Sequence, residues 1–187
     1  MHQKIIYITL LCIHFLNPFF LIAKEKSTCE ERLEFSFDDR EWEKGFEKQT
    51  SDASIVEYTL KGENVNQWTE LVTVQQFPKI AFSVEDYYKI FIQDLKASVQ
   101  PAQVHSKMIS QTPDSLFFEW WISGETPHAQ HEWFRLFKTP RSTLVLRYTT
   151  KKLNDVEKVR GTWEKILKDA KYSQKNCSLL FKPKVTS

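Results

Sequence analysis

The chain runs to 187 residues, 41% hydrophobic and 27% charged, with 26 Lys and Arg against 24 Asp and Glu for a net charge of +2. That is the composition of a single globular domain able to build its own core, and it excludes collagen-like, coiled-coil and disordered chains. Acids and bases are interleaved rather than blocked, so there is no positive stripe of the kind that neutralises a phosphate backbone, and nucleic acid is not an expected partner.

Lys4 is followed by an apolar run over residues 5–23 and then by the polar stretch KEKSTCEER. This is the layout of a secretory signal peptide ending near Ala23, which leaves residues 24–187 as one exported domain, periplasmic or secreted. The run is also long enough to span a bilayer, so an uncleaved anchor formed by residues 5–23 is the competing reading, and only in that case is a membrane a partner. Asn17 and Pro18 interrupt the run and weigh against a spanning helix. Without residues 1–23 the chain keeps two cysteines, Cys29 and Cys177. In an exported protein such a pair is expected to form a disulfide, here closing nearly the whole domain, and a loop of about 150 residues is stabilised by roughly 4 to 5 kcal/mol in the chain-entropy model. Two independent thiols are the alternative.

Ser54 to Leu60 alternates apolar and polar residues and predicts a strand; residues 61–64, Lys-Gly-Glu-Asn, are turn chemistry. Residues 69–77 predict a second strand, stopped by Pro78. Ser83, with Asp86 three residues on, opens a helix whose Val84, Tyr87, Tyr88, Phe91, Leu95 and Val99 share one face up to Pro101. Residues 104–110 alternate weakly, and a turn over residues 111–114 leads to the strongest strand, Ser115 to Ser123. There Leu116, Phe118, Trp120 and Ile122 point one way while Phe117 and Trp121 flank Glu119 on the other, which predicts a central strand covered on both faces. Residues 131–138 and 143–150 predict a hairpin, and a final helix opens at Asn154 with Glu157 as its capping partner and Gly161 as its weak point. Strands grouped in meanders with two segregated amphipathic helices predict an α+β fold, an antiparallel sheet of about six strands with both helices packed on it.

No GxSxG elbow, glycine-rich phosphate loop, CxxC or HExxH occurs, and the chain has only four glycines. No cofactor is expected. One cluster, His128, His131 and Glu132, could hold a metal if a turn brought the two rings together with His105 near, since a catalytic zinc takes three protein ligands. Aromatic residues make up 14% of the chain. Trp120, Trp121, Trp133, Phe134 and Phe137 are expected to be mostly core, with an exposed partner patch as the rival reading. Asp38, Asp39, Glu41 and Glu43 around Arg40 and Trp42 read as a solvated lead-in.

The stretch from Tyr58 to Gln75 contains Gly62-Glu63, then Asn66-Gln67-Trp68-Thr69-Glu70, two apolar residues and Thr73. It resembles a hairpin found in small exported bacterial proteins whose pattern of strands and two helices is similar to the PsbP/DcrB-like α/β/α sandwich. Trp42 to Phe46 resembles the first strand of such proteins. The resemblance implies that fold and export, and it brings no catalytic residues. Physically, Gly62 supplies a positive φ, Asn66 caps a single helical turn, Glu63 faces water, and Trp68 folds back over the sheet and is expected to be largely buried. A binding version of the same hairpin would set Glu63 and Glu70 beside the Trp68 indole. The function expected is therefore that of a non-catalytic exported module binding a protein or small ligand in the envelope; the alternative is a small secreted enzyme or metal-binding protein using His128, His131 and Glu132.

Overall fold

A computed structural model of the chain describes residues 30–124 and 126–175. The expected leader, Cys29 and Cys177 lie outside the described residues. The elements are β1 (Glu30–Glu34), β2 (Trp42–Gln49), β3 (Ser54–Leu60), β4 (Glu70–Pro78), α1 (Val84–Ser98), β5 (Gln103–Thr112), β6 (Ser115–Ser123), β7 (Gln130–Lys138), β8 (Ser142–Thr150), a 3-10 turn (Leu153–Asp155), α2 (Val156–Asp169) and β9 (Lys171–Lys175). Strands β2 to β8 form one seven-stranded sheet in the order β2-β3-β4-β8-β7-β6-β5, antiparallel throughout, and β1 pairs with β9 in a separate two-stranded ladder. The expected α+β architecture is present, with the helices on opposite faces of the sheet.

The helices form where the sequence gives them a cap and a stripe. The Ser83 hydroxyl accepts the Asp86 amide at 3.0 Å, and Val84, Ile92 and Leu95 then face the sheet. They pack with Leu116, Phe118, Trp120, Ile122, Phe134 and Leu136. The other face gathers Phe117, Trp133, Leu146 and Tyr148 under Trp163 and Leu167 of α2. Strand β6 feeds both layers, as its doubly apolar pattern requires.

The expected antiparallel sheet is present with seven strands, and β1 and β9 add a separate pair: Glu-rich β1 and Lys-rich β9 carry almost no apolar alternation, so the pattern that marks a half-buried strand is missing from them. Two expectations need correction. The helix expected from Asn154 opens as a 3-10 turn instead, with Asp155 at the N-cap position and no side-chain cap bond, because the Asp155 carboxylate pairs with Lys158 at 2.7 Å and Glu157 pairs with Arg160 at 3.0 Å. The acidic lead-in is solvated only in part: Asp39, Glu41 and Glu43 are exposed as expected, but Asp38 is drawn inward. Asp38 accepts from the Arg40 Nε at 2.9 Å and from the Trp42 indole at 2.9 Å, and Trp42 stacks on Phe37 and meets Trp163 edge-on at 5.6 Å. Phe35, Phe37 and Trp42 need burial, and Asp38 and Arg40 between them enter as a bonded pair.

Candidate functional site

The hairpin that joins β3 to β4 is held by its own side chains. Gly62 has φ +84°, in the left-handed region that suits glycine. The Glu63 carboxylate accepts the Thr69 amide at 2.8 Å and the Thr69 hydroxyl at 2.5 Å, so Glu63 closes the loop rather than facing water unengaged. Asn64, not Asn66, makes the local turn: its Oδ1 accepts the Asn66 amide at 2.9 Å, and residues 64 and 67 form a bridge instead of a helical turn. Trp68 is half-buried, with the Lys151 ammonium 3.8 Å from its ring centroid. The expectation of a largely buried indole is corrected accordingly; its neighbour is a strand-end lysine, which can approach only a ring left at the margin of the sheet.

Glu70 leaves this hairpin altogether. Its buried carboxylate accepts from Tyr148 Oη, from Arg40 at 2.6 Å and from Lys152 at 2.9 Å. Burial alone would raise its pKa, but the bonds from Tyr148, Lys152 and Arg40 outweigh burial and hold it below the usual carboxylate range. The hairpin residues Gly62, Glu63, Asn66, Trp68, Thr69 and Glu70 therefore divide: Glu63 and Thr69 lock the turn, and Glu70 clamps the N-terminal segment to β8.

On the α2 face, the antiparallel register lines up rings from successive strands. His105 of β5 stacks on Trp121 of β6 with centroids 5.3 Å apart and planes 14° apart, and Trp121 stacks on His131 of β7 at 5.5 Å and 4°. The row continues through Trp133 and Tyr148 to Trp163, which lies 4.0 Å from Tyr148. α2 buries the inner members, whereas Trp121 and His105 are only half-buried at the edge. Beneath the row, Glu119 accepts from His131 Nε2 at 2.9 Å and from Arg160 at 2.6 Å. Burial pushes the Glu119 carboxyl up, but its bonds to His131 and Arg160 bring its pKa down to about 2. Ser123 accepts or donates a 2.9 Å bond with His105 Nε2 and also lines an open cavity of about 580 Å³ whose walls include Val99, Pro101, Gln103 and His128.

The same register takes apart the candidate metal cluster of the alternative reading. His131 is engaged with Glu119 on the α2 face, while Glu132 points to the α1 face, where it accepts from Trp120 at 2.9 Å, Arg147 at 2.7 Å and Thr149 at 2.7 Å. His128 stands in the turn before β7. Consecutive strand residues face opposite ways, so the rings and the carboxylate do not converge, and among the described residues no group of three His, Cys, Asp or Glu could hold a metal. Of the five aromatics singled out, Trp120, Trp133, Phe134 and Phe137 are core and Trp121 is the half-open one. Sequence reasoning missed Arg160 and His131 as partners of Glu119. The signal was there: an acid between Phe117 and Trp121 on a doubly covered strand must find a donor.

A protein-family model matches residues 31–177 of the chain. A search of curated proteins returned no significant match. Among solved structures, the solution structure of cyanobacterial PsbP (CyanoP) from Synechocystis sp. PCC 6803 superposes with a TM-score of 0.52, covering 83% of this chain and 98% of its own, at 8% identity. At that identity the likeness is one of fold.

Proposed function

Since the chain belongs to the family whose model spans residues 31–177 and has a PsbP-like fold, we propose that it is an exported, non-catalytic accessory module that acts by binding a protein or small ligand in the envelope. The observation that carries this reading is the edge of the ring row: Trp121 and His105 stand parallel and half-open to solvent beside the cavity that Ser123 lines. A rigid indole in a sheet, oriented by a neighbouring ring and flanked by Lys107 and Glu119, offers stacking area at low conformational cost. The hairpin of residues 62–70 is structural in this reading, and its half-exposed Trp68 serves as the control. Partners retained by the native protein in pull-down from its envelope should be lost with Trp121→Ala and kept with Trp68→Ala. The reverse result would move the site to the hairpin, and retention by both variants would exclude the ring row.

Export rests on the leader pattern of residues 1–23. Among the described residues no helix is long and apolar enough to cross a membrane. Mass spectrometry of the native protein should find a new N-terminus near Lys24, and an intact Met1 would convert the leader into an anchor. The Cys29 to Cys177 bond gains support from the strand pair next to it. Glu30 lies opposite Lys175 in the antiparallel ladder of β1 and β9, and these are the first and last described residues of the chain. Glu31 anchors this clasp to the β7–β8 turn, accepting from the Thr139 and Ser142 hydroxyls and from Gln174 at 3.0 Å. Peptide mapping without reductant should recover the two cysteines in one linked peptide, and two alkylated thiols would exclude the bond.

A further inference from the structure

Strand β2 is one edge of the seven-stranded sheet, and every residue after Trp42 in it is exposed. An open edge is a template for another strand. The charge sequence of this edge, Glu43-Lys44-Gly45-Phe46-Glu47-Lys48, is complementary to itself when reversed. Laid antiparallel on a second copy about an axis at Phe46, with the irregularity at Gly45 counted as one extra residue, Glu43 meets Lys48 of the other copy and Lys44 meets its Glu47. We propose that two copies of this chain associate through β2 about a twofold axis, joining their sheets edge to edge.

The backbone is in phase with this register, and the charge match singles it out. Lys44 and Glu47 pair with Tyr58 and Val56 of β3, on one face, while Glu43 and Lys48 pair with Thr59 and Ile55, on the other. The register irregularity between Lys44 and Phe46 makes this so, because without the extra residue the complementary charges would fall on opposite faces. The Lys61 amide donates to the Glu41 carbonyl at 2.9 Å, so Glu41 turns its polar groups toward β3 while Trp42 and Lys44 turn theirs outward. Beyond the bulge, Glu47 and Gln49 do the same. Lys44 opposite Glu47 and Trp42 opposite Gln49 are then hydrogen-bonded pairs across the axis, in phase with the charge match. Phe46, one of the few exposed large apolar residues among the described residues at 39% exposure, falls at the axis and is covered by its own mate. Within one chain, Lys44 and Glu47 already bond at 2.5 Å along the strand, and association exchanges that exposed contact for one between copies. The opposite edge, β5, carries Lys107 and no acid, so it has no such self-complement. The interface is isologous and closed, which limits it to a pair.

Sedimentation velocity over a concentration series tests this with the native protein and two variants. Lys44→Glu with Lys48→Glu makes the edge acidic, and Glu43→Lys with Glu47→Lys makes it basic. Native protein should pass from monomer to dimer as concentration rises. Each variant alone should weaken association by about tenfold or more through like charges, and an equimolar mixture of the two should recover the dimer. Melting curves close to the parent's establish that both variants fold. A parent that stays monomeric, variants that pair as the parent does, or a mixture that fails to associate would each overturn the proposal.

Discussion

Glu119 and Glu57 are both buried carboxylates on strands of one sheet, the first on the face under α2 and the second on the face toward α1, and they are driven in opposite directions. Burial raises the pKa of each. Glu119 answers it with two strong donors, the His131 ring and the Arg160 guanidinium, and falls to about 2. Glu57 has only the field of Arg147, whose guanidinium is already committed to Glu132 at 2.9 and 2.7 Å, and it stays above the usual carboxylate range. Burial at a given depth therefore does not decide whether an acid stabilises a fold; what decides is whether a cation with free donors is placed against it by another element. Here α2 supplies Arg160 to the first, and among the described residues no element supplies one to the second.

The largest effect should come from removing the ring that joins α2 to that face. Trp163→Ala, at a fully buried position stacked on Tyr148, should cost about 3 to 5 kcal/mol in urea unfolding. A smaller loss would mean that the two faces are less dependent on α2 than the geometry indicates. Next, Glu119→Gln leaves Arg160 and His131 facing a neutral amide and should cost about 2 to 3 kcal/mol, the partial exposure of Arg160 tempering the full cost of an orphaned buried charge. The sign of its pH dependence follows from the depressed pKa. Glu119 contributes stability that is present above its unfolded value of 4.5 and is lost as the pH falls through about 2. In Glu119→Gln that part of the acid limb should disappear from a plot of melting temperature against pH.

Glu57 should behave in the opposite sense. Its raised pKa contributes stability that is present below 4.5 and is lost as the pH rises through the folded value. Glu57→Leu should therefore raise stability by about 1 kcal/mol at neutral pH and flatten the curve on the alkaline side of 4.5. Destabilisation by that substitution would show that Glu57 has a partner the comparison overlooks. The smallest effect is at the hairpin, where Glu63→Ala removes both bonds to Thr69 and should cost about 1 kcal/mol, more than the change of about 0.5 kcal/mol usual for a surface residue.

Much of the fold was legible where a residue's role follows from its near neighbours in sequence. Ser54 to Leu60 and Ser115 to Ser123 are strands at the bounds their alternation implied, and Ser83 caps α1 through Asp86. The strands β1 and β9 were not legible, because their ladder joins residues 30–34 to 171–175 and its stability comes from pairing and from the Glu31 anchor rather than from an apolar face. The Gly-Glu and Thr-Glu pairs of the β3–β4 hairpin marked a turn correctly, yet the division of labour between Glu63 and Glu70 depended on Tyr148 and Arg40, which are distant in sequence.

Composition, period and capping residues thus determined the α+β class, the sided helices and the doubly covered β6, since each is a local consequence of backbone geometry acting on the order of residues. The cross-strand register decided the rest. It stacked His105, Trp121 and His131 into one row, sent His131 and Glu132 to opposite faces, and brought Arg160 to Glu119 but no free cation among the described residues to Glu57. Which side chains meet across a sheet depends on the pairing of strands far apart in the chain, and a charge or a ring acquires its role only from the neighbour that pairing supplies.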